Sequence, residues 1–495
     1  MRRRLALPLL LLLLAAAWFL WPASDAERAA WLADFARLEA HTAVAYANLG
    51  DRLASRGLSP RELDRRARTA LAGARSRRQA RAAVAEFVGA FDDWHFRAEA
   101  PYGAARRLLR RLIGKQRPPA SEAIARQASG EQACAQLGAR DRRAGKLAWA
   151  ELPDYRPFDR DPATHPFPAG LLARAGEPRL AILRIGLFDE LAFPALCAAT
   201  WERFRATLPA ATTACDEGCQ DEFSQALEGA FLARFAAQLE ELAAAGATAL
   251  LIDLTDNGGG SGIVSPMLRM VTARPMRQRP FGFVRHPHSV ARLGATAEEF
   301  RHELARSDLS PRQREIVGTA LERAEAAVRA AGEPCDLSGL WQLASAAELP
   351  CSNVGRSLPW IDEVAPGELV GLGARSALGA SEETAREGVW RGELFVLVNR
   401  STASASEDFV ASLQDAGGAV IVGERTLGVG CGYTNGGIRL ELPALGLTVR
   451  APDCVRYRAD GRNEAEGVLP DLPVAWSAGD DARERAAKAI AVLPD

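Results

Sequence analysis

ATALLIDLTDNGGGSG, residues 247–262, is the stretch on which the fold turns. Its first eight residues are an almost unbroken apolar run, closed by Thr, Asp, Asn and three glycines. A strand with one wet face alternates apolar and polar residues. A run that is apolar throughout fits a strand buried on both faces, as in parallel sheets covered by helices. GELFVLVN (392–399) and GGAVIVGE (417–424) read the same way, and EPRLAILRIGLFDE (177–190) holds a further short strand. Helical stretches at about 192–208 and 221–245 lie between them. The expected fold class is α/β with a parallel sheet.

Outward from these strands the chain divides by composition. Residues 26–95 are rich in Ala, Arg and Leu with helical periodicity and read as a small helical domain. LSPRELDRRARTALAG (58–73) carries a helix start: Ser59 as cap, Pro60 at the first position, Glu62 three residues on. The pattern breaks at AFDDWHF (90–96). Residues 96–178 are basic and then proline-rich, and are expected to be linker or cap. The core would then run over 179–279 and 391–476. Between its halves lies an insertion, 280–390, with a charged helix pair (296–331), two cysteines and a Gly-rich stretch. IRLELPALGLTVRAP (438–452) is a hairpin pattern. Residues 477–495 read as a solvated helix or tail.

Of the 495 residues, 48% are hydrophobic and 25% charged, ordinary for a folded chain. The net charge of −1 gives no case for a nucleic-acid partner. Lysine is confined to Lys115, Lys146 and Lys488. MRRRLALPLLLLLLAAAWFLWPASDA has the layout of a secretory signal over 1–25, with small residues at Ala23, Ser24 and Ala26. Left uncleaved, the same segment would anchor the chain in a membrane. Either way the body is expected outside the cytoplasm, periplasmic or facing the periplasm. Eight cysteines in an exported chain favour disulfides, with Cys215–Cys219, Cys335–Cys351 and Cys431–Cys454 as the expected local pairs. No CxxC occurs and the histidines are not spaced as zinc ligands, so no metal is expected.

Three stretches could carry chemistry. In STASASE (401–407) a serine at a strand-to-helix turn exposes its hydroxyl at the positive end of a helix, and the next amide can bind an oxyanion. Ser404 or Ser406 could equally be a plain helix cap. In LIDLTDNGGGSG (251–262) the glycines let backbone amides face a ligand. No Gly-Lys-Ser/Thr follows, so this is no Walker motif. A flexible turn would look the same. In FDDWHF (91–96) a histidine stands at an element boundary beside aspartates, a better place for a base than mid-helix, although lone histidines are more often structural.

Taken together, VNRSTASASEDFVASLQDAGGAVIVGERTLGVG (398–430), LLIDLTDNGGG and AEGVLPD (465–471) resemble the motifs of the C-terminal processing, or tail-specific, serine proteases. The resemblance covers about 179–475 without the insertion. It implies a crotonase-like, ClpP-like parallel-sheet protease core, polypeptide substrates and no metal or cofactor, and it leaves a homo-oligomer open. It makes Ser404 the nucleophile. The family's PDZ-bearing branch pairs that serine with a lysine where this chain has Val429, and none of the three lysines is near. No PDZ pattern is found between His95 and Ile182. A second branch, similar to the tricorn protease core, takes its base from a DxH motif and adds a glutamate before GVxPD. DDWH supplies His95, and RNEAEGVLPD (462–471) supplies Glu464, with Glu466 the nearby competitor. The expected chemistry is general-base catalysis by His95 on Ser404, with Glu464 orienting the imidazole or acting through another group. The resemblance places the oxyanion hole at the amide of Ala405 and at Gly258 or Gly259. Trp94 stands where relatives commonly carry glycine, and its bulk would narrow the cleft or reposition the ring. Substrate selection is then expected to come from elsewhere, the insertion being the candidate.

Two rival readings stand beside this one. A catalytically inactive relative would bind peptides or apolar ligands in the cleft as an envelope protein. A structural envelope protein would leave the Ser/His/Glu set unexplained. His41 reads as a helix-face histidine, and Asp253 and Asp256 as loop holders; His286 and His288 could hold a metal, but a solvated loop is the preferred reading. RRLLRRLIGK (106–115) could touch anionic lipid, or form a solvated helix face.

Overall fold

The computed structural model describes residues 23–100, 123–141, 147–158, 165–173, 179–260, 263–274, 276–365, 367–379 and 387–494. The N-terminal apolar segment, the basic stretch 106–115 and Lys146 lie outside the described residues. Among those described, no helix is long and apolar enough to cross a membrane.

The described residues open with four helices: α1 (Asp25–Ala45), α2 (Leu49–Ser55), α3 (Pro60–Ala72) and α4 (Arg77–Gly89). The start of α3 is the expected one, with Ser59 accepting from the Glu62 N–H and Pro60 in the first turn. Residues 90–96 form a turn, and Arg97–Glu99 is extended.

The core is a seven-stranded sheet. Its strands are β1 (Tyr155–Pro157), β2 (Ala169–Leu172), β3 (Arg179–Arg184), β4 (Ala247–Asp253), β5 (Glu393–Val398), β6 (Val420–Gly423) and β7 (Leu472–Pro473), ordered β7-β6-β5-β4-β3-β2-β1. β3 to β7 are mutually parallel, and β1 and β2 are antiparallel. The segment expected to be linker or cap thus adds two strands to the sheet. Helices α5 (Pro194–Thr207) and α6 (Glu217–Ala244) join β3 to β4. The insertion carries the antiparallel pair α7 (Pro287–Leu304) and α8 (Pro311–Gly332), and α9 (Ala405–Asp415) joins β5 to β6.

The two faces of the sheet explain its uninterrupted apolar strands. Leu250, Ile252, Val396 and Val398 pack with Phe231, Phe235 and Phe409 on one side. Leu251, Phe395, Leu397 and Val422 meet Trp149, Ala486 and Ala489 on the other. Ala486 and Ala489 belong to α10 (Ala482–Ala491), so the C-terminal segment is not merely a solvated tail. Each fully buried aliphatic side chain contributes about 1.5–3 kcal/mol, so both faces hold the central strands in place.

The expected hairpin forms from Ile438–Leu442 and Leu447–Ala451, and Arg97–Glu99 adds a third antiparallel strand, with Arg97 opposite Arg450. Buried Leu442, Leu447 and Val449 share a core with Phe35, Phe87, Phe91 and Phe96. That core docks the helical domain on the long excursion between β6 and β7. The insertion grips the same excursion: its strand Phe281–Val284 lies between Val354–Ser357 and Cys454–Arg456. All three expected disulfides are present, and Cys134 pairs with Cys197.

Candidate active site

Ser404 caps α9, behind β5. Its backbone has φ +58 and ψ −117, a region unfavourable for any residue with a Cβ. Three contacts hold it there. The Ser404 N–H donates to Glu407 Oε2 at 2.9 Å. The Ser404 carbonyl accepts from Arg456 Nη2 at 2.9 Å. On the preceding side, the Ala403 N–H donates to the Asn257 carbonyl at 3.0 Å. The hydroxyl is thereby raised at the tip of a sharp strand-to-helix turn, the arrangement expected for a serine nucleophile.

The glycine triplet lies against this turn. A Cβ on Gly259, which has φ +102, would come within 2.8 Å of the Ser404 Cβ, the Ala403 carbonyl and the Ala405 nitrogen. The Gly259 N–H is occupied, donating to Asn257 Oδ1 at 2.9 Å. The Gly258 and Ala405 amides have no protein acceptor among the described residues. Asp253 and Asp256 hold the loop, as expected. Asp253 accepts from Thr255 N, Thr255 Oγ1 and Trp149 Nε1, and Asp256 exchanges two 2.9 Å hydrogen bonds with Asn399.

His95 reaches the same region from the helical domain. Its Nδ1 lies 3.2 Å from the Val429 carbonyl. A carbonyl only accepts, so Nδ1 carries the proton and Nε2 keeps its lone pair. Nε2 faces Gly432, where a Cβ would sit 3.0 Å away. Tyr433 donates its hydroxyl to the His95 carbonyl and meets the ring edge-on. Asp93 accepts from the His95 N–H at 2.9 Å, and its other oxygen accepts from Tyr46 and Asn48 at 3.0 Å each. Burial holds the His95 pKa below its ordinary value, against the opposing pull of Asp93 and the Val429 carbonyl. Val429 thus meets the histidine through its backbone carbonyl.

One loop ties His95 and Ser404 together. Buried Glu407 accepts from Thr426 Oγ1 at 2.6 Å and from the Gly428 and Val429 amides at 2.7 and 3.1 Å, besides the Ser404 N–H. Burial, then the charge of Glu464, push its carboxyl upward in pKa. The sequence reading missed Glu407, although a serine followed three residues on by glutamate is the capping-box spacing.

Glu464 is buried to 1% exposure, whereas Glu466 is exposed. The sequence leaves both direct contact with the imidazole and action through another group open for Glu464, and no hydrogen bond joins it to His95. Its Oε1 accepts from Arg456 Nε at 2.8 Å, and its Oε2 from Arg279, which also pairs with Asp408. Arg456 in turn holds the carbonyls of Ser404 and Gly430, the latter at 3.0 Å. Glu464 is therefore joined to the Ser404 turn through the half-buried Arg456. Neither Arg279 nor Arg456 was singled out in the sequence, where arginine is too common to stand out. No hydrogen bond joins the Ser404 hydroxyl to His95. No group of three or more His, Cys, Asp or Glu residues that could hold a metal occurs among the described residues.

Residues 322–474 match the model of peptidase family S41. The fold is similar to that of mature CPAF, at 12% identity and TM-score 0.56 over 94% of this chain and 96% of that one. Mature CPAF complexed with lactacystin gives 13% identity and TM-score 0.56 over 94% and 99%. At such identities the likeness speaks for the fold alone. The photosystem II D1 C-terminal processing protease, at 15% identity and TM-score 0.36 over 95% and 99%, is too loosely superposed to argue from. Parallel-sheet core and family match together define a serine-type peptidase. Over residues 322–474 the chain is similar to peptidase family S41, consistent with the C-terminal processing protease family that its motifs resemble.

Proposed function

We propose that the chain is an exported serine endopeptidase or carboxy-terminal processing peptidase working through Ser404, His95 and Glu464. Ser404 Oγ attacks the scissile carbonyl while His95 Nε2 takes its proton and later returns it to the leaving amine. The Gly258 and Ala405 amides receive the oxyanion, and Gly259 gives the close approach that its missing Cβ permits. Asp93 supplies negative charge near the imidazolium. Glu464 holds Arg456, which fixes the strained Ser404 turn. The observation that carries this reading is the single loop, 426–430, that binds Glu407 behind Ser404 and turns the Val429 carbonyl to His95 Nδ1. Four disulfides and the N-terminal pattern support export. Anchoring through the N-terminal segment and self-association belong to the same proposal.

The unmade hydrogen bond between Ser404 and His95 favours a second reading, an inactive relative that binds peptides. Catalytic hydrogen bonds are often loose before substrate arrives, so the first reading stands ahead. Proteolysis of an unfolded protein by the full chain separates them. Cleavage lost in both Ser404→Ala and His95→Ala supports the peptidase. Cleavage that survives Ser404→Ala overturns the assignment of the nucleophile, and saturable peptide binding by folded protein without cleavage establishes the binding protein.

A further inference from the structure

Beside the site lies an open cleft of about 810 Å³ at the C-terminal ends of β6 and β7. Its wall toward the site is the loop Glu424–Val429, and Trp94, adjoining His95, lines it on the helical-domain side. Trp94 is 64% exposed, so the bulk expected to crowd the histidine instead forms part of this cleft. Trp476, Pro470 and exposed Leu469 supply further apolar surface.

The charges are unbalanced. Four arginines line the cleft, against Asp92 and Glu424. Arg56 pairs with Asp92, and Arg400 with Glu424 at 3.0 Å. Arg52 and Arg425 have no carboxylate within ion-pair distance among the described residues. Arg52 is 9% exposed. Its Nη2 donates to the Gly428 carbonyl at 2.8 Å and lies 3.4 Å from that of Ala465, the Tyr46 hydroxyl lies near, and its Nε has no acceptor. A buried guanidinium without a counter-charge is costly and is normally paired. Arg425 is exposed and donates to the Glu466 carbonyl.

We propose that this cleft is a substrate subsite for a carboxylate-bearing polypeptide segment, the carboxylate lying over Arg52 and Arg425 and neighbouring apolar side chains against Trp94 and Trp476. The proposal rests on the peptidase reading and names what that enzyme selects. It moves selection from the insertion to the loop that carries Val429. Guanidinium groups and aromatic faces together suit an anionic peptide whose flanking residues are apolar.

The test uses the full chain carrying Ser404→Ala, so that binding is read without turnover. Short unstructured fluorescein-labelled peptides are compared by anisotropy at low salt in two pairs, free against amidated C-terminus and internal Glu against Gln. The expected result is about tenfold tighter binding of the charged member in one pair, which also tells which carboxylate is read. Arg425→Glu and Arg52→Gln should each erase that preference while the neutral peptide's affinity stays within about twofold. Equal affinity within both pairs, or a preference that survives exposed Arg425→Glu and Arg52→Gln alike, overturns the proposal. Active wild-type enzyme without charge preference sinks the subsite alone. A charge preference in a protein that never cleaves keeps the subsite and sinks the peptidase.

Discussion

His95 sets the pH dependence of the proposed reaction. Burial lowers its pKa, so the imidazole stays neutral to a pH below its ordinary value of about 6.5. The acid limb of kcat/KM is expected below pH 6.5. Asp93 pulls the other way, and Asp93→Asn should move the limb further toward acid. A limb that moves toward neutral pH would contradict the assignment. At Glu464 a fully buried charge holds one largely buried and one half-buried guanidinium group, and removing one partner of a buried pair costs about 3–5 kcal/mol. Glu464→Gln should therefore lower the urea midpoint sharply. Arg456→Met should lower kcat more than it changes KM, because its lost contact is with the Ser404 turn and not with substrate. The strand-to-helix turn at Ser404 was legible from its motif. Arg456 was not, because its partners come from three separate stretches of chain.

At the scale of elements, the strand ends do the positioning. β4 delivers the glycine triplet and β5 the serine, and their parallel pairing sets the two loops side by side, with Asp253 opposite Leu397. Gly259→Ala would force a Cβ to 2.8 Å from Ser404 at a positive φ. The expected outcome is a loss of kcat of at least about tenfold with the fold retained, read by peptide hydrolysis beside circular dichroism. The sequence showed these strands clearly, since burial on both faces removes polar residues. It did not show β1 and β2, which are short and are added antiparallel on one side of the sheet, β1 forming its edge. The hairpin was legible as a hairpin, but not as the dock for Arg97–Glu99.

In the whole molecule, the helical domain, the insertion and the core meet on the excursion between β6 and β7. His41 of α1 is pushed down to about 4 by burial and by His286. The unfolded chain thus takes a proton between about pH 6.5 and 4 that the folded chain refuses, and stability falls as pH falls through that window. The slope from this group is at most about 1.4 kcal/mol per pH unit. Urea titrations at pH 7 and pH 5 should show the drop, and His41→Gln should reduce it. Cys431–Cys454 closes the same excursion around Gly432 and Tyr433, beside His95. Replacing both by serine is expected to cost about 3 kcal/mol and to lower kcat. An unchanged kcat in the folded variant would show that the bridge does not hold the site.

By itself the sequence determined what local chemistry determines: the apolar runs that must be buried on both faces, the turn glycines, the capped helices, and three short motifs whose residue types suit acyl transfer. Tertiary structure alone decided how those motifs meet. It gave His95 its tautomer through a distant backbone carbonyl, set the Glu464 carboxylate on two arginines, and left Arg52 without a carboxylate partner among the described residues beside an open cleft. These outcomes depend on which buried charges and carbonyls come within a few ångströms of one another. That follows from the docking of segments far apart in the chain, which no local pattern encodes.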